Sequence, residues 1–349
     1  MWTITLRDLQ YRARQFAIAV AGAALVFALT LVLTGISSGF RHEADRTVDL
    51  VGADAWVVPK GVRGPFTAQT SLPASLSKQV ARGKSVQEAH PFVKVGQMAQ
   101  LPGGESEQIN LHGHRIGSLG PPSWRADRAR AGRGEVIVDK RLEAEAGETI
   151  TIAAKEFRVR GVVEDQTYFA GIPIVWMDLA DAQQVAFEGR RLASVILTQG
   201  TPKKLPDGYS ASDRGEIRRD LLEPLQGAMT VIDNLRILMW IVAAVIIGAV
   251  VYLSALERVR DFAVLKAVGG SSRDLVVSLA TEAVVASLAA AALAAGVAQL
   301  LKPIFPLPVT IETSAYFVLP LIAVIVGILA SLAALRRAVA VDPAVAFAG

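Results

Sequence analysis

Cysteine is absent from the 349 residues, which excludes disulfides, thiolate metal sites and cysteine nucleophiles and leaves any soluble part to stand on its own core. Charge is scarce as well. Asp, Glu, Lys and Arg make up 19% of the chain against 52% hydrophobic residues, and the mean hydropathy is +0.40. That is too apolar for one soluble core and fits several membrane spans plus a soluble part. No G-x-x-x-x-G-K-[ST] phosphate loop exists, because the cluster Gly269-Gly270-Ser271-Ser272 lacks the lysine that such a cradle needs. There is no G-x-S-x-G elbow, and no paired-carboxylate spacing singles out a catalytic acid. The small basic excess, +4 with a pI near 9.4, reads as Lys and Arg retained in cytoplasmic segments rather than as a nucleic-acid footprint.

What is present is a set of long uncharged runs. Residues 1–15 carry Arg7, Arg12 and Arg14, and nothing charged follows until after Phe40. The run is longer than the roughly 7–15 apolar residues of a signal peptide and has no clean cleavage site, so 16–36 is expected to be a retained first span with its N-terminus in the cytoplasm. Phe40, Ala44, Val48 and Val51 then recur at near-helical spacing, which extends that helix as a stalk over 37–52. A second amphipathic helix is expected over 216–236, with Ile217, Leu221, Leu225, Met229 and Ile232 on one stripe and Pro224 kinking it or starting it afresh. It leads into a second span at 237–256. A charged segment, 257–275, separates this from a third span at 276–301; an outer loop, 302–314, precedes a fourth at 315–335, and 336–349 is a cytoplasmic tail. Over the short loops nine Lys and Arg fall inside and Lys302 alone outside, so both termini are expected in the cytoplasm.

Between the stalks, residues 53–215 have the composition of a soluble domain. Short β-like runs at 55–59, 92–99, 108–112, 135–139, 149–153, 157–163, 174–176 and 194–198 alternate with turn residues, and helices are predicted at 140–146 and 178–188. Leu119–Gly134, with Pro121 and Pro122, reads as a long exposed loop or a boundary between lobes. The fold class expected is therefore an α-helical membrane protein with four transmembrane helices and an α+β extracytoplasmic domain inserted between the first two.

The string from Glu257 to Ser271, ERVRDFAVLKAVGGS, resembles residue by residue the ERTREIGILRALGAS signature of permeases in the MacB/LolC/LolE/FtsX family of ABC transporters. Arg336-Arg337-Ala338 followed by Val341-Asp342-Pro343-Ala344 is similar to that family's closing pattern. Glu135–Val138, Gly147–Ile150 and Phe157–Val162 resemble the V-V-I-S…G-D-x-I…F-x-V-V-G-V run of MacB-type periplasmic domains. Two departures matter: no ATPase domain is present on the chain, and the outer domain is larger than that of a minimal cell-division FtsX yet short for the full two-lobed MacB arrangement. The resemblance implies a non-catalytic permease subunit of the inner (plasma) membrane that works with a separate cytoplasmic ABC ATPase. ATP and Mg would sit on that partner, and this chain itself would hold no cofactor. A second permease copy, identical or related, completes the expected assembly, for export or extraction of a lipid, peptide or other amphiphile. The alternative is an FtsX-like regulator that activates an extracytoplasmic cell-wall hydrolase without transport.

The resemblance makes Glu257, Arg258, Arg260, Asp261, Phe262, Leu265, Lys266 and Gly269 the ATPase-coupling residues. An acid inside a span is costly, so Glu282 is a second candidate. If its helix starts near Leu275 it lies two turns from the cytoplasmic face, where pairing with Arg258, Arg260 or Arg273 is the simpler expectation. His112 and His114 share one face of a strand, but with His42 and His90 elsewhere no third metal ligand is evident, and exposed polar histidines are expected.

Overall fold

The computed structural model of the protein describes residues 13–115, 117–119, 131–168, 171–257, 272–305 and 309–338. The chain divides into two compact units, one formed by Met1–Gly39 with Gly227–Gly349 and the other by Phe40–Gln226. Their backbone elements are helix α1 (Ala13–Leu50), α2 (Leu76–Val80), α3 (Leu179–Phe187), α4 (Arg214–Leu222), α5 (Gln226–Glu257), α6 (Ser272–Leu301) and α7 (Thr313–Ala338). The strands are β1 (Ala55–Pro59), β2 (Leu72–Pro73), β3 (Glu88–Gln100), β4 (Ser106–His114), β5 (Glu135–Asp139), β6 (Thr149–Ile152), β7 (Lys155–Val163), β8 (Thr167–Tyr168), β9 (Ile172–Asp178), β10 (Leu192–Ala193), β11 (Val195–Gln199) and β12 (Tyr209–Asp213).

The helical unit holds the first part of α1 with α5, α6 and α7. Among the described residues, three helices are long and apolar enough to cross a membrane, within Phe16–Leu50, Arg214–Leu253 and Leu279–Ile304. The fourth span read from the sequence is a helix too, but its described apolar stretch, Thr313–Leu329, is shorter. At 1.5 Å per residue that stretch covers roughly 25 Å, less than the hydrocarbon thickness of about 30 Å. Pro320 lies inside it and removes one backbone donor from the helical ladder. Hydroxyls in these helices bond back to their own backbone, Thr30 to Val26 O at 2.9 Å and Ser287 to Ala283 O at 2.7 Å, which satisfies their hydrogens within the helix. Small residues set the close approach of α6 and α7: a Cβ at Gly327 would stand 2.5 Å from Ser287 Oγ.

In the α+β unit, six strands close on themselves in the order β3-β4-β9-β5-β7-β6 and back to β3 through Ala99 and Ile152. Two of the pairings, β4 with β9 and β5 with β7, are parallel. The inward residues, among them Ile109, Leu111, Val136, Val138, Ile150, Ile152, Val175 and Met177, are fully buried in one cluster. β3 is 13 residues long because it serves two sheets, its second half in the barrel and its first half beside β11 in an open sheet ordered β12-β1-β11-β3. On β1 alternate residues enter different cores, Trp56 and Val58 on one face and Val57 on the other. The stalk stripes find their partner here. Ala44 and Val48 of α1, Val51 just beyond it, and Ile217 and Leu221 of α4 share a cluster with Trp56, Phe92 and Trp176. Ion pairs Arg218–Asp45 (3.1 Å) and Arg214–Asp49 (3.3 Å) join the two stalks at the surface.

One local expectation changes. The helix read at 140–146 is a single 3₁₀ turn, Lys140–Leu142, because Asp139 caps Arg141 N and Glu143 turns left-handed at φ 53°. In the second stalk a 3₁₀ turn, Glu223–Leu225, carries Pro224 between α4 and α5, at the position where the sequence has the proline kinking the helix or starting it afresh. Asp213 opens α4 with a complete capping box to Glu216. The loop read over Leu119–Gly134 lies mostly outside the described residues.

α3 rests on the barrel where Gly113 of β4 leaves room for it, since a Cβ at Gly113 would come within 2.1 Å of the Ala182 Cβ. Overpacking of this kind costs about 1–3 kcal/mol. Gly113→Ala is therefore expected to lower the thermal midpoint of the purified protein by several degrees, read by near-ultraviolet circular dichroism, while Gly96→Ala, with nothing within 4 Å of its added Cβ, leaves it almost unchanged.

Candidate functional site

The coupling residues fall between α5, whose backbone ends at Glu257, and α6, which starts at Ser272. Arg258, Arg260, Asp261, Phe262, Leu265, Lys266 and Gly269 lie outside the described residues. The helices that flank them are 32 and 30 residues long.

Glu282 is placed by α6 and is 5% exposed. Because α6 begins at Ser272, the carboxylate stands about 15 Å from that helix start, three turns in rather than two. Its surroundings are apolar: Phe16, Ala19 and Ala23 of α1, Ile247 and Val251 of α5, and Ala286 line a cavity of about 10 Å³ beside it. That is room for about one water. Of the partners expected, Arg258 and Arg260 lie outside the described residues.

A polar row that the sequence reading missed crosses the sheet face under the stalks. Lys94 of β3, His112 of β4 and Trp176 of β9 stand opposite one another in register, with Ile137 of β5 next in line. His112 and His114 are not the exposed histidines expected; they are 3% and 9% exposed. Their rings meet the Trp176 ring edge-on at 4.8 and 5.6 Å, and His112 also meets Phe92 at 5.2 Å. Neither ring nitrogen of His112 has a hydrogen-bond partner among the described residues. Burial, reinforced by Lys94 and then by His114, therefore pushes the His112 pKa far down, and burial brings His114 to about 4. The Lys94 ammonium lies over Phe66 (5.1 Å) and Tyr168 (4.6 Å), and burial lowers its pKa to about 8 against the opposing pull of Asp220. Burial, and then the charge of Asp220, also drives the Tyr168 phenol upward.

Both stalks make polar contacts to loops and strands near this row. Asp220 of α4 is fully buried and accepts from Phe66 N at 3.0 Å and from the Thr67 hydroxyl; Arg46 of α1 donates to the Thr167 hydroxyl. Lys94, Asp220, Tyr168 and Arg46 are separated by long stretches of sequence, so no spacing could have grouped them. The one signal was the alternation Asn110, His112, His114. Among the described residues no three His, Cys, Asp or Glu come together as a metal site. Chemically the row is a largely buried cation over two aromatic faces, with a buried carboxylate near enough to act on its charge.

Long apolar helices with a folded α+β insert define an integral membrane protein. Residues 235–343 match the FtsX-like permease C-terminal model, and residues 16–207 match the MacB-like periplasmic core domain. An uncharacterized ABC transporter permease of Mycobacterium tuberculosis, Rv2563, is 42% identical over 99% of this chain and 98% of its own. A second from that species, Rv0072, is 39% identical over the same shares. HrtB of Staphylococcus epidermidis, named as a candidate hemin transport system permease protein, is 20% identical over 93% of both chains. The chain belongs to the ABC transporter permeases of the MacB/FtsX family.

The histidines carry a pH dependence with a definite sign. The unfolded chain takes up a proton below its ordinary pKa of 6.5, whereas native His114 resists down to about 4. The stability it contributes is complete above 6.5 and declines as pH falls toward 4, by up to about 3 kcal/mol. Thermal unfolding of the protein across that window should show a falling midpoint, and the double change His112→Leu, His114→Leu should flatten it; equal acid sensitivity in both proteins refutes the assignment.

Proposed function

We propose that this chain is the membrane subunit of an ATP-driven machine in which a separate cytoplasmic ATPase drives motion through helices into the α+β unit, taken to be extracytoplasmic. The observation that carries the reading is α1, an uninterrupted helix of 38 residues whose first part belongs to the helical unit and whose last turns are cemented into the α+β core. A helix transmits displacement along its axis because its backbone ladder cannot lengthen without breaking bonds.

In this reading α7 is the fourth pass, both termini are cytoplasmic, and Glu257–Gly269 receives the ATPase. Arg258, Arg260 and Lys266 would face acidic groups of that partner while Phe262 and Leu265 seat the segment against the helix ends. A second permease copy fits α5: Ile237, Ile241 and Val245 form a stripe at 60%, 57% and 64% exposure, apolar surface that only lipid or another helix can cover. The cargo is an amphiphile moved to or from the outer leaflet, and the hemin named for HrtB falls within that class.

The test is co-purification with the cognate ATPase and reconstitution. Charge reversal of Arg258 and Arg260 together should release the ATPase and lower its ATP turnover by at least about tenfold, the equivalent of about 1.4 kcal/mol. If complex formation and turnover are untouched, the coupling role is wrong. A hydrolase retained on the α+β unit, with no amphiphile moved, turns the assignment from transport to regulation.

A further inference from the structure

At the end of the helical unit opposite Glu282, α1, α5 and the start of α7 enclose a cavity of about 200 Å³. The segment that leads into α7 is fixed there by tight contact: Thr310 N donates to Gly35 O at 2.9 Å, and a Cβ at Gly35 would clash with Val309 at 2.7 Å and Ile311 at 2.8 Å. Glu312 lines this cavity together with Arg236 and Trp240 of α5, Thr34 of α1 and Leu319 of α7.

The two charges do not neutralise each other. Arg236 Nη1 pairs with Asp233 at 3.0 Å, and its Nε is buried without a hydrogen-bond partner among the described residues. The Arg236 side chain as a whole is 35% exposed, so its charge is reachable from the cleft, and the shielded Nε is met by an anionic oxygen, which a phosphate supplies in the fork geometry that arginine prefers. The same lining offers acceptors. Glu312 accepts from Ser314 at 3.1 Å and keeps further lone pairs, and Thr34 spends its hydroxyl hydrogen on Thr30 O at 2.8 Å, leaving its oxygen to accept. The lining thus offers a donor to an anion and acceptors to a hydrogen-bearing cation. The volume is below the roughly 300–1,000 Å³ of a drug-sized pocket. It suits a headgroup rather than a whole lipid, and apolar surface for acyl chains lies beside the mouth: Phe317 and Leu321 of α7 are 77% and 63% exposed.

We infer that this cavity binds the headgroup of a zwitterionic phospholipid of the ethanolamine class from the surrounding bilayer, its phosphate on Arg236 and its ammonium on Glu312. The lipid pins α1, α5 and α7 together at this end of the unit. Choline lipids carry the charge without N–H donors, and glycerol lipids carry phosphate without a cation, so both are weaker ligands. The inference needs only the membrane embedding of these helices, not the ATPase reading.

The test is native mass spectrometry of the full-length protein released from nanodiscs made of equal parts phosphatidylethanolamine, phosphatidylglycerol and phosphatidylcholine. The expected result is retention of phosphatidylethanolamine over each of the others by at least about threefold, a preference well within what one hydrogen bond to a charged group can provide. Glu312→Gln should remove the preference over phosphatidylglycerol while lipid is still retained, and Arg236→Gln should reduce retention of all three. Leu319→Trp, which fills the cavity and changes no charge, should also reduce retention, and circular dichroism shows whether each variant is folded. Equal retention of the three lipids by the native protein, a preference for phosphatidylglycerol, or folded charge variants that retain lipid as the native protein does overturns the inference. No ATPase is present in the measurement, so its failure leaves the permease reading intact.

Discussion

Along α1 the backbone hydrogen-bond ladder runs unbroken for 38 residues, and most other features depend on it. Within a bilayer every amide must be satisfied inside its own segment, which forces a helix on the uncharged run after Gln15. Because nothing in the sequence stops that helix at the membrane edge, it continues until Gly52, whose φ of 63° turns the chain into β1. The same ladder that solves the solvation problem in lipid becomes a stiff element outside it. The second connection is made differently: α4 and α5 are separated by the turn at Pro224, so the two connections are not mechanically equivalent.

The α+β unit is fastened to its stalks through two kinds of contact. Apolar packing of Val48, Val51, Ile217 and Leu221 against Trp56 and Trp176 supplies the bulk of the attachment. The polar row adds direction. Asp220 is fully buried, so its hydrogen bonds to Phe66 and Thr67 are strong and geometrically demanding, and removing either side strands a charge away from water. The Lys94 ammonium, held over two aromatic rings, stands in the same group.

Much of this was legible in the sequence, for identifiable reasons. Uncharged runs of span length, the period of the stalk stripes and strands such as Glu135–Asp139 are local patterns, and local patterns survive folding. What could not be read is non-local. β12, YSASD, has no apolar alternation and exists because β1 offers it a ladder. The burial of His112 and His114 follows from the stalks covering that face of the sheet, and no property of L-H-G-H announces it. The second turn expected between Leu275 and Glu282 became a third because α6 starts earlier, at Ser272, where Arg273 and Asp274 gave no apolar signal. The cavity between Arg236 and Glu312 joins residues that lie far apart in the chain and meet through the packing of Gly35 against Val309 and Ile311.

The central claim is that ATP-driven motion passes along α1. Since the chain has no cysteine, spin labels can be introduced at two chosen positions only. His42→Cys on the stalk and Ile304→Cys after α6 are both exposed positions. In the complex with its ATPase, pulsed electron resonance between these labels should give one distance distribution without nucleotide and a displaced one with ATP trapped. Identical distributions in the two states, with the ATPase bound and hydrolysing, would contradict the account.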